Sequence, residues 1–159
     1  MAASLADASG KGLAVDAVER ERRHLQRVVA VLALIPVSAG LFGVLFGPAL
    51  TGDQVSVSAD SHFRHLSGLL LGIGLCFLST VPGIEDKTGR FRLLTLLVFI
   101  GGLGRLTGLL LTGVPSLYML AGLFLELIVT PLLCLWQMRI ANRYAESAGV
   151  ADLTRDAPA

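Results

Sequence analysis

Three long stretches of the chain carry almost no charge, and this limits the fold more than any other feature. Residues 28–52 and 66–84 contain no charged side chain, and residues 93–138 contain only Arg105 and Glu126. A bilayer core about 30 Å thick is crossed by about 20 apolar residues in a helix. The third stretch is about twice that length and must fold back once. The sequence therefore predicts four membrane-spanning helices.

The fold class that follows is all-α. Lipid cannot hydrogen-bond to open backbone groups, and the runs lack the two-residue alternation of a membrane β-barrel. We expect an integral membrane four-helix bundle with up-down-up-down topology and a last turn at Gly113-Val114-Pro115. Its spans are expected at about residues 28–50, 62–82, 93–112 and 116–138. Residues 1–27 are predicted to form a tail with a short amphipathic basic helix, and residues 139–159 a partly disordered tail.

The positive charges predict the orientation. Eleven of the 13 Lys and Arg residues lie in the two tails or in the loop after the second span. The first loop, which contains Asp53, has only Arg64 at its edge. Because cytoplasmic loops are enriched in Lys and Arg, both termini are predicted to be cytoplasmic.

Composition excludes several function classes. Only 16% of residues are charged, which is too few to cover the surface of a soluble domain. The lipid bilayer is therefore the expected surrounding of the chain. The net charge of +1 excludes a strongly basic nucleic-acid binder. Two cysteines exclude a disulfide scaffold or a multi-cysteine zinc domain.

Two charged residues inside the spans are the main candidates for function. Arg105 lies about 12 Å and Glu126 about 17 Å from the predicted outer turn, at about 1.5 Å per residue. Because a lone charge in lipid is costly, we expect the two side chains to pair across adjacent helices. Helical spacing also predicts that stripes of small and polar residues face protein: Ala39, Gly43 and Gly47; Ser61, His65, Gly68, Gly72 and Ser79; Gly101, Arg105, Gly108 and Thr112.

Further polar residues are predicted at the outer mouth of the bundle, above this ion pair. They would form an outward-facing pocket whose predicted ligand-binding residues are His62, Arg64, His65, Arg105 and Glu126. This set contains more basic than acidic side chains. It therefore favours a small anionic, hydrogen-bonding or lipid-like ligand, or a membrane-protein partner. A purely structural interpretation, in which Arg105 and Glu126 only hold two helices together, remains open.

Other function classes remain open. Asp60, His62 and His65 could hold a metal in a membrane metal or redox protein, although two interfacial histidines are the simpler interpretation. A small transporter, or a transport accessory subunit working as a homo-oligomer, is a second alternative; Arg105 disfavours proton exchange at Glu126 because it favours the ionised carboxylate. No phosphate loop, Ser-His-Asp set or acidic metal box occurs, so no catalytic residue, cofactor or metal is predicted and an enzyme is disfavoured.

Several short motifs resemble one known family. Ser61-His62-Phe63-Arg64 opens a Gly-rich helix, and Gly104-Arg105, Gly113-Val114-Pro115 and Leu125-Glu126-Leu127 follow in order. This set, within roughly residues 28–140, is similar to the bacterial four-helix membrane family known as domain of unknown function 4345. The resemblance implies a multi-pass protein of the inner (plasma) membrane and supplies no activity, substrate or cofactor.

Overall fold

A computed structural model describes the backbone of residues 2–48 and 55–155 and the side chains of residues 15–48 and 55–146. Asp53 in the predicted outer loop lies outside the described residues, as do the side chains at both ends of the chain. Every regular element in the described part is helical, which confirms the all-α fold class.

The described residues form five α-helices, two of which belong to one span. They are α1 (Ala2–Phe46), α2 (Val57–Thr80), α3 (Thr88–Thr112), α4 (Leu117–Phe124) and α5 (Thr130–Arg155). A 3-10 turn (Ile84–Asp86) precedes α3, and a π-helical turn (Leu125–Val129) joins α4 to α5. Within the part of the chain whose side chains are described, four segments are long and apolar enough to cross a membrane: Val15–Phe46, Val57–Thr80, Thr88–Thr112 and Leu117–Glu146. The protein is therefore a membrane protein, while its orientation and the disorder of its tail stay predictions.

The turn between α3 and α4 lies where the sequence predicts it. Gly113 has φ +105°, a conformation that favours glycine, and its N–H bonds to the carbonyl oxygen of Leu109 at 3.2 Å. At the start of α2, Ser56 is the N-cap, and its hydroxyl accepts a 3.3 Å hydrogen bond from the N–H of Ala59. Local turn and capping chemistry thus sets these helix ends.

The chain divides into two compact units, of which the first comprises residues 27–82. In this unit α1 and α2 approach closely at glycines. A Cβ at Gly40 would lie 2.5 Å from the backbone nitrogen of Leu71, and a Cβ at Gly74 would lie 2.7 Å from the Cγ2 of Val37. Such small-residue contacts are the usual way for helices to pack in lipid, where the hydrophobic effect does not drive them together.

The second unit comprises residues up to 26 and from 83 onward. Its core is formed by side chains with no exposed surface, namely Leu25, Ile84, Phe91 and Ile140. Gln137 is also fully buried, and its amide nitrogen donates to the carbonyl oxygen of Ile84 at 2.7 Å and to the hydroxyl of Thr88 at 2.8 Å. This core packs the middle of α1, around Leu25, and the 3-10 turn with α3 and α5.

Candidate functional site

Arg105 of α3 and Glu126 of the π-helical turn form a two-pronged ion pair. The Nε of Arg105 lies 3.0 Å from one carboxylate oxygen of Glu126, and its NH2 lies 3.1 Å from the other. The remaining guanidinium nitrogen, NH1, contacts the sulfur of Met119. Because all three nitrogens are engaged, this arginine acts first as a clamp between α3 and the fourth span.

The π-helical turn that carries Glu126 has a local cause in Pro131. Proline has no N–H, and its ring clashes with the carbonyl group four residues earlier in a regular α-helix. Here the backbone N–H of Thr130 bonds to the carbonyl oxygen of Leu125, five residues back, and the Thr130 hydroxyl bonds to the same oxygen at 2.8 Å. A proline inside a helix usually kinks it, and here the chain forms a wider helical turn before Pro131.

Gly102 allows α3 to approach Glu126. A Cβ at Gly102 would lie 2.7 Å from the Cδ2 of Leu127 and 3.0 Å from the Cβ of Glu126. Two glycines of the predicted stripe on α3 behave differently, since a Cβ at Gly101 or Gly108 would meet no described residue within 4 Å. At these two positions the predicted stripe therefore makes no close contact with a described residue, whereas Arg105 of the same stripe does face the fourth span, as does Gly102.

Arg64, a predicted ligand-binding residue, is bound at the end of α1. Its Nε pairs with Asp60 at 2.9 Å, and its NH1 donates to the carbonyl oxygens of Val44 and Leu45 at 2.7 and 3.1 Å. The last carbonyl groups of a helix lack partners within it, so a cation here caps the helix. Gly47 completes the arrangement, because it has φ +64° and a Cβ there would lie 2.6 Å from the NH2 of Arg64.

His62 and His65 are exposed on α2. They line an open groove of about 540 Å³ with Val57, Ser58 and Ser61. Neither imidazole has a hydrogen-bonding partner among the residues that the structure describes. We call Ser58, Ser61, His62 and His65 the histidine face. The first turns of a helix also carry backbone N–H groups without intrahelical partners, so this end of α2 favours negative charge.

The described residues do not support the hypothesis of a metal site at Asp60, His62 and His65. Asp60 is held by Arg64, and within the described residues no group of three or more His, Cys, Asp or Glu side chains is placed to bind a metal ion. His62 and His65 alone would supply two ligands, one fewer than a catalytic zinc site uses.

The predicted ligand-binding residues fall into two groups. Arg105 and Glu126 belong to the unit that contains α3 and α5, whereas His62, Arg64 and His65 belong to the unit that contains α2. Each group is built within its own unit by the contacts given above. The outward pocket that combines both groups stays a prediction.

A cluster that the sequence did not predict surrounds Arg22. This side chain pairs with Glu19 and Glu85, both at 2.8 Å, and lies 5.7 Å from the ring centre of Tyr144. The hydroxyl of Tyr144 donates to Glu19. The spacing of Glu19 and Arg22, three residues apart, fits a helical ion pair, but nothing local in the sequence indicates Glu85 or Tyr144 as partners.

Glu21 extends the same cluster. One oxygen accepts a hydrogen bond from the indole N–H of Trp136 at 3.1 Å, and the other pairs with Arg143 at 2.7 Å. We call the whole set the polar junction: Glu19, Glu21, Arg22, Glu85, Trp136, Arg143 and Tyr144. Positive charges that suggested only a membrane orientation are therefore partly used in ion pairs within the protein.

Comparison with known proteins identifies a family. A family model described as domain of unknown function (DUF4345) matches residues 24–137, well over half of the chain. The matched range includes all five predicted ligand-binding residues. No curated protein and no solved structure matches the chain.

Proposed function

This chain belongs to the DUF4345 family of unknown function, and we propose that it is a non-enzymatic, multi-pass inner-membrane protein that binds a small anionic ligand at its histidine face. One observation carries this proposal. His62 and His65 are both exposed, and neither has a hydrogen-bonding partner among the described residues. A neutral imidazole offers one N–H donor and a protonated one offers two, so the pair is free to bind an anion.

The neighbouring groups support an anion over a cation. Ser58 and Ser61 add two hydroxyl donors to the groove. Asp60 is the nearest acidic residue in sequence, but Arg64 neutralises it. The helix dipole of α2 adds partial positive charge at the same end. A phosphate group, which accepts several hydrogen bonds and carries negative charge, fits this set of donors.

Of the two arginines of the predicted set, only Arg64 is placed to support the site indirectly. Arg64 caps α1 and pairs with Asp60, so it holds the start of α2 against the end of α1. Arg105 is engaged by Glu126 and Met119. These contacts lie within its own unit, so Arg105 is not part of the histidine face.

The test measures binding of two phosphate compounds to the purified full chain in detergent. Glycerol 1-phosphate is the soluble probe and dioctanoyl phosphatidylglycerol is the lipid probe, and the unfolding temperature is followed as each is added. The test variant is His62→Ala with His65→Ala. Its matched control is His24→Ala, which removes an exposed histidine from α1.

We expect at least one probe to raise the unfolding temperature of the unchanged protein and of His24→Ala. A hydrogen bond to a charged group contributes about 1.5–3 kcal/mol, so the double variant should bind at least about tenfold more weakly. If the double variant binds as tightly as the unchanged protein, or if neither probe binds the unchanged protein, the proposal is wrong.

A further inference from the structure

The exposed face of α2 changes from polar to apolar along its length, starting at the histidine face. Residues three and four apart lie on one side of a helix. Counting in this way from the histidine face gives one continuous stripe: Ser58, His62, His65, Leu69, Gly72 and Cys76. Its first three residues are polar, whereas the last three, Leu69, Gly72 and Cys76, offer no strongly polar group. The stripe therefore has the polarity profile of an amphiphile.

The apolar part of the stripe is open. The Leu69 side chain is 53% exposed and Cys76 is exposed. Gly72 lies between them, and a Cβ placed there would meet nothing within 4 Å. A glycine between two larger exposed side chains leaves a recess in the surface of the helix, and we call the segment from Leu69 to Cys76 the α2 track.

The length of the stripe fits one lipid chain. From His65 to Cys76 the helix rises by about 16 Å, at about 1.5 Å per residue. Half of a bilayer core is about 15 Å thick. An acyl chain that starts at the histidine face would therefore reach the end of the α2 track at about the middle of the bilayer.

We propose that the ligand of the histidine face is an anionic phospholipid whose acyl chain lies along the α2 track. This inference rests on the proposed function and names its ligand class. The headgroup phosphate accepts hydrogen bonds from the histidine face, and the chain covers Leu69 and fills the recess at Gly72. An apolar track alone would take any lipid chain, and a polar face alone would take any anion. Their continuity on one helix selects a molecule that has both parts.

The experiment reads out chain contact at the end of the track. The exposed Cys76 carries a bimane fluorophore in a full chain whose buried Cys134 is replaced by Ala. The protein is placed in phosphatidylcholine nanodiscs that contain a small fraction of brominated phosphatidylglycerol or of brominated phosphatidylcholine with the same chains. Bromine quenches a nearby fluorophore, so quenching reports how much of each lipid occupies the track.

We expect brominated phosphatidylglycerol to occupy the track at least about fivefold more strongly than brominated phosphatidylcholine, a difference of about 1 kcal/mol. His62→Ala with His65→Ala should remove this selectivity. Gly72→Leu should lower quenching by both lipids, because its side chain fills the recess without a clash. Gly104→Leu is the matched control, since Gly104 also lies on a spanning helix and its Cβ would also meet no described residue within 4 Å.

The outcomes separate this inference from the proposed function. Equal quenching by the two lipids, or no effect of Gly72→Leu, overturns the lipid on the α2 track. The proposed function still stands in that case if glycerol 1-phosphate binding depends on His62 and His65. If no probe shows dependence on these histidines, both proposals are wrong.

Discussion

The indole N–H of Trp136 donates a 3.1 Å hydrogen bond to the carboxylate of Glu21, which lies 115 positions earlier in the chain. The second oxygen of Glu21 is held by Arg143 at 2.7 Å. One carboxylate thus joins the first part of α1 to two positions on α5. The polar junction therefore holds together the two chain segments of this compact unit, residues up to 26 and from 83 onward.

Replacing Glu21 should weaken this junction. Glu21→Ala leaves the indole N–H and Arg143 without their carboxylate, and we expect a loss of about 1–3 kcal/mol in the free energy of unfolding. Trp136 is the only tryptophan in the chain, so its fluorescence emission should shift as well. Glu146→Ala is the control, because Glu146 is exposed on α5, the helix that carries Trp136 and Arg143, and it should change stability by less than about 0.5 kcal/mol. Equal stability of both variants would contradict this role of Glu21.

Removing one partner of the Arg105–Glu126 pair should cost more than removing both. A single replacement leaves a partly buried charge without its counterion, and breaking a buried pair typically costs about 3–5 kcal/mol. Two apolar residues in place of the pair avoid that penalty. We therefore expect Arg105→Leu or Glu126→Gln to lower stability in lipid nanodiscs more than Arg105→Leu combined with Glu126→Leu. Purely additive losses in this comparison would count against energetic coupling of the two residues.

Two adjacent glycines should respond in opposite directions to the same substitution. Gly102→Ala places a Cβ against Leu127 and Glu126, and overpacking of this kind costs about 1–3 kcal/mol. Gly101→Ala meets no neighbouring atom, and alanine favours the helix over glycine by about 1 kcal/mol. Thermal unfolding of the two variants measures the difference. Similar effects at both positions would show that α3 does not contact Glu126 through Gly102.

The fold follows from the sequence because its main signals are local. Lengths of uncharged runs predict the four spans, and Gly113-Val114-Pro115 predicts the last turn, since these residues disfavour a continuous helix. The predicted ends of the spans differ from the ends of the helices for a physical reason. Charged first turns such as the one containing Arg90 and Arg92 can be helical outside the hydrocarbon region, where hydropathy gives no signal.

Which side of each helix faces protein was harder to predict. Gly72 and Gly101 were expected to face protein because they are small, yet a Cβ at either position would meet no atom of the described residues within 4 Å. Small residues occur both at contacts and in recesses that lipid can fill, and residue size alone does not separate the two. Gly43 and Gly47 do lie against α2 as predicted. On α2 and α3, however, the close contacts are made by Gly74 and Gly102, and only the path of the neighbouring helix shows this.

The partners of charged residues were partly predictable. Arg105 and Glu126 are isolated charges in apolar surroundings on helices joined by a short turn, so they have few other partners to find. Arg22 has many acidic and basic neighbours in sequence. Its contact with Glu85 depends on how the turn before α3 packs against the middle of α1. Long-range contacts among interfacial charges require the three-dimensional structure.

The last prediction concerns orientation, which follows from eleven of 13 Lys and Arg residues lying in the tails and the middle loop. We expect a reporter fused in the loop containing Asp53 to be active only outside the membrane. Reporters fused after Lys87 or at the carboxy terminus should be active only in the cytoplasm. Under this orientation the histidine face at the start of α2 lies at the outer surface, where it would bind lipid of the outer leaflet. A carboxy terminus outside the cytoplasm would overturn this orientation and place the histidine face at the inner surface.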